Sequence, residues 1–527
     1  MKDRVSLTDF LMYHKETHPI SFHMPGHKGR STLYGIYGFG DFVKNVVGND
    51  ITEIPGADAL QQPRERIKDI MEGYAGLYGA KHTELLVNGS SAGLMASILG
   101  SVPRGGKLLM GRNSHKSVYG ALRLGGIDPV YIMPEIDGET GLQLGLDPDK
   151  IETALIEDPG IKAVLVTSPN YYGVLSDIER IASIVHLHGR ILIVDQAHGA
   201  HLKFFDYLRS EDGLPHRASE NCGADIVVDS THKTLLSFTG SAILNICTER
   251  PDVSRISELL RMLQTTSPSY LLMGSLDINQ QILRMDGYNL IKNWDADIKY
   301  FYEEAAQIAG LGLIDRIDLD ETKVSITMSA LGLSGPELAE ELEKRNIWVE
   351  LTHGDYVMLM TGLGNERGDY EDVLSALRDL SAHHGGRIQG VEPESSASKT
   401  ESVAQEAVQK QAKNEAQAAN KNASQPVDKI AELRTPSSDS ALIERLEQRK
   451  IPDTYEEIPL YSAEGRVLYE SIIPYPPGTP IACPGEVLSK SVILYVRDQL
   501  VAQHVVLGVD EEGRVKVESD CVLFKEI

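Results

Sequence analysis

The chain has 527 residues, of which 42% are hydrophobic, so it is too long for one small core and suits a large α/β domain with a smaller appendage. Its 51 Lys and Arg residues against 76 Asp and Glu residues give a formal net charge of −25, which argues against nonspecific binding to nucleic acid. No uninterrupted apolar run is long enough to cross a bilayer, so no membrane contact is expected.

The N-terminal sequence and the cysteines predict a cytoplasmic protein. Met1-Lys2-Asp3-Arg4 leads into a mixed polar segment without the apolar stretch of a signal peptide. Cys222, Cys247, Cys483 and Cys521 are scattered without CxxC spacing, as expected for reduced thiols.

The first part of the chain predicts an arm followed by a large domain. Residues 1–80 form the predicted N-terminal arm, in which Pro25, Gly26 and Gly29 interrupt regular structure. Residues 81–288 form the predicted large domain, where short apolar runs alternate with helical patterns. That alternation is typical of a mostly parallel sheet with crossover helices. The clearest predicted strands are 85–87, 108–110, 130–132, 163–167, 191–194 and 226–228.

Further units follow the large domain. Residues 254–283 predict helix with an interruption at Pro268, and residues 289–390, with strand-like runs at 323–328 and 356–360, predict a small α/β domain. Residues 391–440 predict a low-complexity linker, because the stretch 395–424 consists mostly of small and polar residues. Residues 441–527 predict a compact C-terminal α/β domain. Gly362-Leu363-Gly364 lacks the full glycine spacing of a dinucleotide-binding loop, so none is predicted there.

A lysine and an aspartate at predicted strand ends carry the strongest chemical signal. Lys233 ends the motif Ser230-Thr231-His232-Lys233 after the apolar run 224–228, where its amine could form a Schiff base with an aldehyde cofactor. Asp195 follows the β-branched run 191–194. A lysine for an aldehyde and an aspartate for a pyridine nitrogen are the protein groups that pyridoxal 5′-phosphate chemistry needs. Taken singly, the lysine also suits a polar surface turn, and the aspartate also suits a helix N-cap.

A glycine-rich segment predicts a place for the phosphate of such a cofactor. Gly89-Ser90-Ser91-Ala92-Gly93 follows a predicted strand and precedes the helical run 94–99. Backbone N–H groups and hydroxyls would therefore lie at a helix N-terminus, where an anion is favoured. An ordinary N-cap serine explains the same pattern and does not compete with this interpretation.

An ordered set of short motifs runs through nearly the whole chain apart from about residues 392–440. The motifs are Phe22-His23-Met24-Pro25-Gly26-His27-Lys28, Asn88-Gly89-Ser90-Ser91-Ala92-Gly93, Asn113-Ser114-His115-Lys116-Ser117, Asp195-Gln196-Ala197-His198-Gly199, Ser230-Thr231-His232-Lys233, Gln264-Thr265-Thr266-Ser267-Pro268-Ser269-Tyr270 and Tyr475-Pro476-Pro477-Gly478-Thr479-Pro480. In this order they resemble the motifs of the bacterial ornithine/lysine/arginine decarboxylases of aspartate-aminotransferase fold, in their shorter form.

The resemblance implies a fold, a cofactor and a set of site residues. The fold is α/β, that of the PLP-dependent enzymes of fold type I, and the cofactor is pyridoxal 5′-phosphate. Lys233 would hold the cofactor and exchange protons, Asp195 would pair with the pyridine nitrogen, and His115 would stack on the ring. The remaining implied cofactor contacts are His198 beside the ring and, around the phosphate, Ser90, Ser91, Ala92, Ser230 and His232.

The resemblance also implies a homodimer or a higher homo-oligomer, and the sequence departs from the family pattern at one position. The segment 264–270 would reach across a dimer to the neighbouring subunit's phosphate, giving composite active sites, although a helix-breaking turn at Pro268 explains the same residues. The family usually has Asp-Glu-Ala-His where this chain has Gln196 in place of the glutamate. If that residue tunes charge near the cofactor, activity is reduced or redirected; if it only orients neighbours, nothing changes. His198 and His201 lack the acidic pattern of a metal site, so no metal is expected.

The predicted function is decarboxylation of a basic amino acid, arginine or lysine ahead of ornithine. Arginine is slightly favoured, because a guanidinium can be held bidentately by one carboxylate. Glu456 and Glu457 are candidate contacts for the distal cation, with a solvated acidic pair as the alternative. Other open functions are an aminotransferase or aldolase of the same fold, and a non-catalytic PLP-binding regulatory paralogue.

Overall fold

The fold is described from a computed structural model, which covers residues 6–388, 446–475, 479–501 and 505–519. The predicted linker at 391–440 lies outside the described residues, as does Cys521. The strands are β1 (Ile20–Phe22), β2 (His82–Leu86), β3 (Lys107–Gly111), β4 (Asp128–Ile132), β5 (Ile161–Thr167), β6 (Ile191–Asp195), β7 (Ile226–Asp229), β8 (Ala242–Ile246), β9 (Gly312–Leu313), β10 (Lys323–Thr327), β11 (Ile347–Val349), β12 (Leu351–His353), β13 (Tyr356–Met360), β14 (Tyr455–Pro459), β15 (Ile473–Tyr475), β16 (Val505–Leu507) and β17 (Arg514–Glu518).

The α-helices alternate with these strands through the large domain. They are α1 (Leu7–Glu16), α2 (Ser31–Ile36), α3 (Gly40–Lys44), α4 (Val46–Asn49), α5 (Arg66–Tyr78), α6 (Gly89–Ser101), α7 (Lys116–Gly125), α8 (Pro148–Glu157), α9 (Ile178–Leu187), α10 (Leu202–Glu211), α11 (Thr231–Thr234), α12 (Val253–Leu263), α13 (Tyr270–Ala305), α14 (Gly335–Glu343), α15 (Arg367–Ile388) and α16 (Lys490–Val501). Short 3₁₀ helices occupy Ser329–Leu331 and Leu460–Ser462.

A seven-stranded sheet in the order β2-β8-β7-β6-β5-β3-β4 forms the centre of the large domain. All its neighbours run parallel except β8, which is antiparallel to both β2 and β7. Every residue of β7 and β8 is buried, as expected for a sheet covered by helices on both faces. The prediction of a mostly parallel sheet is confirmed. β8 is missing from the predicted strands named above, because no crossover helix of full length separates it from β7.

One continuous helix, α13, leads from the large domain into the small domain. β12, β13, β10 and β9 form an antiparallel sheet in that order, which packs against α14 and shares one apolar core with α15. The predicted division at 288/289 falls within α13, which runs for 36 residues, or about 54 Å. Buried side chains late in α13 join the same apolar core as those of α15. The helix therefore ties the two domains together.

The N-terminal arm is part of the small domain's structure. β1 pairs in parallel with β11, with Phe22 opposite Val349. The chain then passes between the two domains at Gly26, whose N–H donates to the His232 carbonyl (2.8 Å) and whose carbonyl accepts from Gly364 N–H (2.9 Å). A Cβ at Gly26 would lie 2.4 Å from the Leu235 carbonyl oxygen, so only glycine fits there.

The C-terminal unit packs on the large domain through a buried ion pair. Its strands form the antiparallel pairs β14–β17 and β15–β16. Arg112, 1% exposed, donates to both carboxylate oxygens of Glu486 (3.1 and 2.8 Å), which is 2% exposed. Arg112 also donates to the Pro480 carbonyl (2.7 Å). An ion pair so deeply buried depends on these additional hydrogen bonds.

Across the described ranges, which stop at 388 and resume at 446, no helix combines the length and the hydropathy that a bilayer-spanning segment requires.

Candidate active site

Lys233 and Asp195, the two residues with the strongest chemical signal in the sequence, line a cavity of about 640 Å³. This cavity lies between the two domains and the C-terminal unit. Thr167 ends β5 and Asp195 ends β6, while Ser230, His232 and Lys233 follow β7; all of these residues line the cavity. The carboxyl ends of parallel strands meet at one edge of a sheet, which is where such folds bind ligands.

Lys233 lies at the floor of this cavity beside a histidine and near an aspartate. Its Nζ is 2.9 Å from His198 Nε2. Burial lowers the pKa of Lys233 to about 8, against the opposing effect of the Asp195 carboxylate. Asp195 is buried and accepts from Ala197 N–H at 3.2 Å; burial raises its pKa, while Lys233 and that hydrogen bond act in the other direction. The site thus holds an amine that loses its proton near neutrality.

His115 contributes a neutral imidazole to the same cavity. It is the N-cap of α7, and its Nδ1 accepts from Ser117 N–H at 3.2 Å. Burial, followed by the charges of Lys233 and Lys116, lowers the pKa of His115 to about 3. With Nδ1 accepting, the proton of the neutral ring lies on Nε2.

The predicted phosphate contacts divide into those that line the cavity and one that does not. Ser90 and Ser91, in the first turn of α6, line it together with Gly89, which has a φ of +71°. Ser230 and His232 line it as well, and His232 Nδ1 is 2.6 Å from the Ser241 carbonyl. Ala92 is buried inside α6 and its side chain does not line the cavity.

Several buried polar atoms at this cavity have no hydrogen-bond partner among the described residues. They are Thr167 Oγ1, His198 Nδ1 and Ser230 Oγ. Buried polar groups in folded proteins are nearly always hydrogen-bonded, so these atoms fit a polar ligand. The cavity also offers a helix N-terminus for an anion, a lysine of lowered pKa for an aldehyde and a buried aspartate for a pyridine nitrogen. The residues present therefore fit pyridoxal 5′-phosphate.

Gln196 points away from this cavity into a buried polar cluster. Its Nε2 donates to Glu220 and to Asp229, both at 3.0 Å, and its Oε1 accepts from Ser219 N–H at 2.8 Å. Burial and the neighbouring Glu220 raise the pKa of Asp229 well above its usual value. An amide can donate to two carboxylates where a glutamate would add a third. The departure from the family pattern therefore belongs to this cluster.

His201 and the buried lysine Lys323 form a second network beside the cavity. His201 Nε2 is 3.1 Å from Asp320 Oδ1, and Lys323 Nζ donates to Asp320 Oδ2 at 3.0 Å. The same Nζ donates to the His198 carbonyl at 3.1 Å. This network joins the small domain to the segment that carries His198.

The side of the cavity facing away from the large sheet comes from remote segments, and sequence reasoning missed most of it. His23, Met24 and Pro25 come from the arm, where the motif gave no individual roles. Trp348, Val349 and Glu350 come from β11 and the residue after it, Tyr171 from the loop after β5, and Thr479 from the C-terminal unit. No local pattern marks Trp348, Glu350 or Tyr171, because long-range pairing brings them here, while Thr479 belongs to a motif to which no individual role was given. The pairing of β1 with β11 is the main example.

Two sets of residues singled out in the sequence do not line the cavity of this chain. Glu456 and Glu457 lie on β14, where Glu456 forms an ion pair with Arg466. In the 264–270 segment, Gln264 binds the backbone of Val87 and Leu85, while residues 265–267 are exposed. Neither set is among the lining residues.

Comparison with known proteins agrees with this geometry. The family model for the Orn/Lys/Arg decarboxylase major domain matches residues 5–311, and that for the C-terminal domain matches residues 439–508. The chain is 30% identical to an arginine decarboxylase of Bacillus anthracis over 95% of this chain and 94% of that one. It is 23% identical to the lysine decarboxylase LdcA of Pseudomonas aeruginosa, over 90% of this chain and 73% of that one.

A solved structure shares the fold. The constitutive lysine decarboxylase of Escherichia coli superposes with a TM-score of 0.68 at 20% identity, covering 97% of this chain and 81% of that one. The fold is thus the α/β fold of the fold-type I PLP-dependent enzymes. The chain belongs to the Orn/Lys/Arg decarboxylase family, and it is an enzyme that decarboxylates a basic amino acid.

Proposed function

We propose that this enzyme decarboxylates L-arginine with pyridoxal 5′-phosphate held by Lys233. The observation that carries the cofactor assignment is the buried Lys233 amine, with a pKa of about 8, beside His198 and Asp195. When bound, pyridoxal 5′-phosphate supplies an electron sink for the electrons released as carbon dioxide leaves.

The residues of the cavity have distinct roles in this proposal. Asp195 keeps the proton on the pyridine nitrogen, and Ser90, Ser91, Ser230 and His232 hold the phosphate near the N-terminus of α6. The unpaired Ser230 Oγ supports this role.

The rings beside the lysine serve packing and proton transfer. His115 packs against the cofactor ring as an uncharged imidazole, in keeping with its pKa of about 3. Lys233 takes up and returns a proton at Nζ once the substrate amine has displaced it, and His198 Nε2 orients that nitrogen at 2.9 Å.

Arginine is favoured over lysine as the substrate by similarity. The arginine decarboxylase of Bacillus anthracis matches at 30% identity over nearly the full length of both chains, and the lysine decarboxylase LdcA at 23% over 73% of its own length. The preference of a guanidinium for bidentate contacts adds a physical reason. Ornithine has no such support here.

The experiment that tests the proposal compares products at equal substrate concentration. Purified protein should carry the visible absorbance of bound cofactor, release carbon dioxide from arginine fastest, and form agmatine ahead of cadaverine and putrescine. Cadaverine as the main product would reassign the substrate to lysine. Intact cofactor absorbance with negligible release from all three amino acids would favour an aminotransferase, an aldolase or a non-catalytic cofactor-binding paralogue.

The assembly is a further part of the proposal. A homodimer in which the 265–267 segment contacts the partner's phosphate site is supported by the exposure of these residues, which leaves them accessible to a second subunit. Analytical ultracentrifugation tests the dimer. The cytoplasmic location remains a prediction.

A further inference from the structure

The cavity has a second carboxylate that the cofactor does not need. Among the described lining residues, the acidic ones are Asp195 and Glu350. In the proposed function, Asp195 pairs with the pyridine nitrogen of the cofactor. Glu350 comes from the small domain, immediately after β11, and its Oε1 accepts from the Tyr171 hydroxyl at 3.0 Å while its Oε2 accepts from Met24 N–H at 2.9 Å. Each carboxylate oxygen can accept a further hydrogen bond.

The cations that act on this carboxylate are Lys233 and the buried Lys28, whose Nζ donates to the carbonyls of His23 and Met360, while the histidines around it carry no charge. His23, His115, His198 and His232 all line the cavity, and burial lowers the pKa of each below its usual value. They are therefore uncharged near neutral pH. Lys233 is the one lysine or arginine among the described lining residues, and in the proposed function it acts at the reacting end of the substrate. The lining has two carboxylates, Asp195 and Glu350, against this single lysine, so it is acidic on balance and suits a cationic guest.

A flat aromatic surface lies beside the carboxylate. Trp348 lines the cavity two residues before Glu350, on β11. Its ring is held from the side by an indole N–H that donates to Asn346 Oδ1 at 3.3 Å and by an edge contact with His14. A planar cation can stack on an indole face and pair with a carboxylate at the same time, which a guanidinium does better than an ammonium.

We infer that Glu350 and Trp348 form the subsite for the distal guanidinium of the substrate. The substrate's amino-acid end lies at Lys233, and its side chain extends toward the small domain, where Glu350 accepts the guanidinium N–H groups and Trp348 covers its face. This inference rests on the proposed function. It makes Glu350 and Trp348 specificity residues that touch the end of the substrate away from the scissile bond.

The main test is Glu350→Gln in the holoenzyme, with Glu343→Gln as the matched control. Glu343 is an exposed glutamate at the end of α14 in the same domain and has no place in the cavity. We expect Glu350→Gln to raise the KM for L-arginine about 10- to 100-fold, the effect of losing a hydrogen bond to a charged group, with a smaller change in kcat. Binding of agmatine, measured by calorimetry, should weaken by a similar factor. Glu343→Gln should change neither.

A neutral isostere separates binding of the cation from mere positioning of Tyr171 and the arm. L-citrulline has the shape of arginine without the charge, so its inhibition constant should change several-fold less in Glu350→Gln than the KM for arginine, because a hydrogen bond from a neutral donor contributes less than one from a charged donor. An equal loss for arginine and citrulline, or an unchanged KM for arginine, would overturn the inference. Glu350→Asp, which keeps the charge, should recover part of the agmatine affinity if Glu350→Gln folds poorly.

The aromatic part of the subsite has its own readout. Trp348→Leu should lower the ratio of kcat/KM for arginine to that for lysine about three- to tenfold, because the stacking contribution is larger for a guanidinium. A ratio that does not change would remove Trp348 from the subsite. Failure of the proposed function looks different, because it is seen in the wild-type enzyme: the main product would be cadaverine or putrescine, or no carbon dioxide would be released from any basic amino acid.

Discussion

The cavity has two walls that differ in how the chain builds them. We call the set Ser90, His115, Asp195, Ser230 and Lys233 the sheet wall, and the set His23, Met24, Trp348, Glu350 and Thr479 the composite wall. Each residue of the sheet wall stands within a few positions of a strand end in one sheet. The composite wall joins the arm, the small domain and the C-terminal unit. In the proposed function, cofactor chemistry therefore depends on local motifs, and in the inferred subsite, substrate recognition depends on how three remote segments pack.

The largest expected effect tests the centre of the sheet wall. Lys233→Ala should abolish turnover and leave the fold intact, because no other amine lines the cavity within the described ranges. Carbon dioxide release measures the first, and circular dichroism the second. Borohydride reduction of the wild-type holoenzyme followed by mass spectrometry should place the cofactor on Lys233. A cofactor found on Lys28, whose pKa is also lowered by burial to about 7, would show the assignment to be wrong.

The next effect also lies on the sheet wall. Asp195→Ala should lower kcat by roughly 100-fold or more, the scale of loss when a preorganised charge at a reacting centre is removed. The physical reason is that an unprotonated pyridine is a poor electron sink. The matched control is Asp177→Ala, which removes an aspartate that caps α9 outside the cavity. Near wild-type kcat in the Asp195 variant with cofactor bound would reject this role.

The composite wall should respond to the ion pair that holds the C-terminal unit. Glu486→Gln leaves the buried Arg112 with an incomplete set of partners, and losing one member of a buried pair costs about 3–5 kcal/mol of stability. Denaturant unfolding measures that loss, with Glu464→Gln at an exposed position of the same unit as control. Because Thr479 precedes Pro480, whose carbonyl binds Arg112, we also expect a higher KM with cofactor absorbance retained. Loss of the cofactor alone would contradict the division into two walls.

The contrast between the walls also explains what the sequence could predict. The strands of the large sheet read as apolar runs because they are buried on both faces, and Lys233, Asp195 and His115 were predicted by motifs that follow those runs. Ala92 was grouped with the serines of its motif; its side chain is buried and does not line the cavity, so its contact with the phosphate stays a prediction for its backbone N–H. Glu350 and Trp348 follow no motif, and only the pairing of β1 with β11, more than three hundred residues apart, brings them near His23. Gly362 and Gly364 likewise serve close packing against Gly26 and His27.

Gln196 sharpens the comparison, because it neighbours the sheet wall in sequence but not in space. Gln196→Glu would add a third carboxyl group to Glu220 and Asp229 and should cost about 1–3 kcal/mol of stability. Burial raises the pKa of the new carboxyl in the folded state above its unfolded value, so the folded protein binds more protons and the loss grows as pH rises above about 4.3. Unfolding at mildly acidic and mildly basic pH measures the difference. If kcat falls while stability is unchanged, Gln196 instead influences the reaction at the cofactor.

The smallest expected effect is a shift in the titration of Lys233. The free amine is the form that attacks the cofactor aldehyde, so the rate at which apoenzyme takes up pyridoxal 5′-phosphate should rise with pH through a midpoint of about 8. The Asp195 carboxylate opposes the effect of burial by stabilising the ammonium form. Asp195→Asn should therefore move the midpoint to lower pH, and the Glu350 carboxylate acts in the same direction, so Glu350→Gln should do likewise. Stopped-flow absorbance from about pH 6 to about pH 10 measures the midpoint. A midpoint near that of an exposed lysine would mean that Lys233 is solvated in the apoenzyme. Water would then be excluded from the sheet wall only when the cofactor binds.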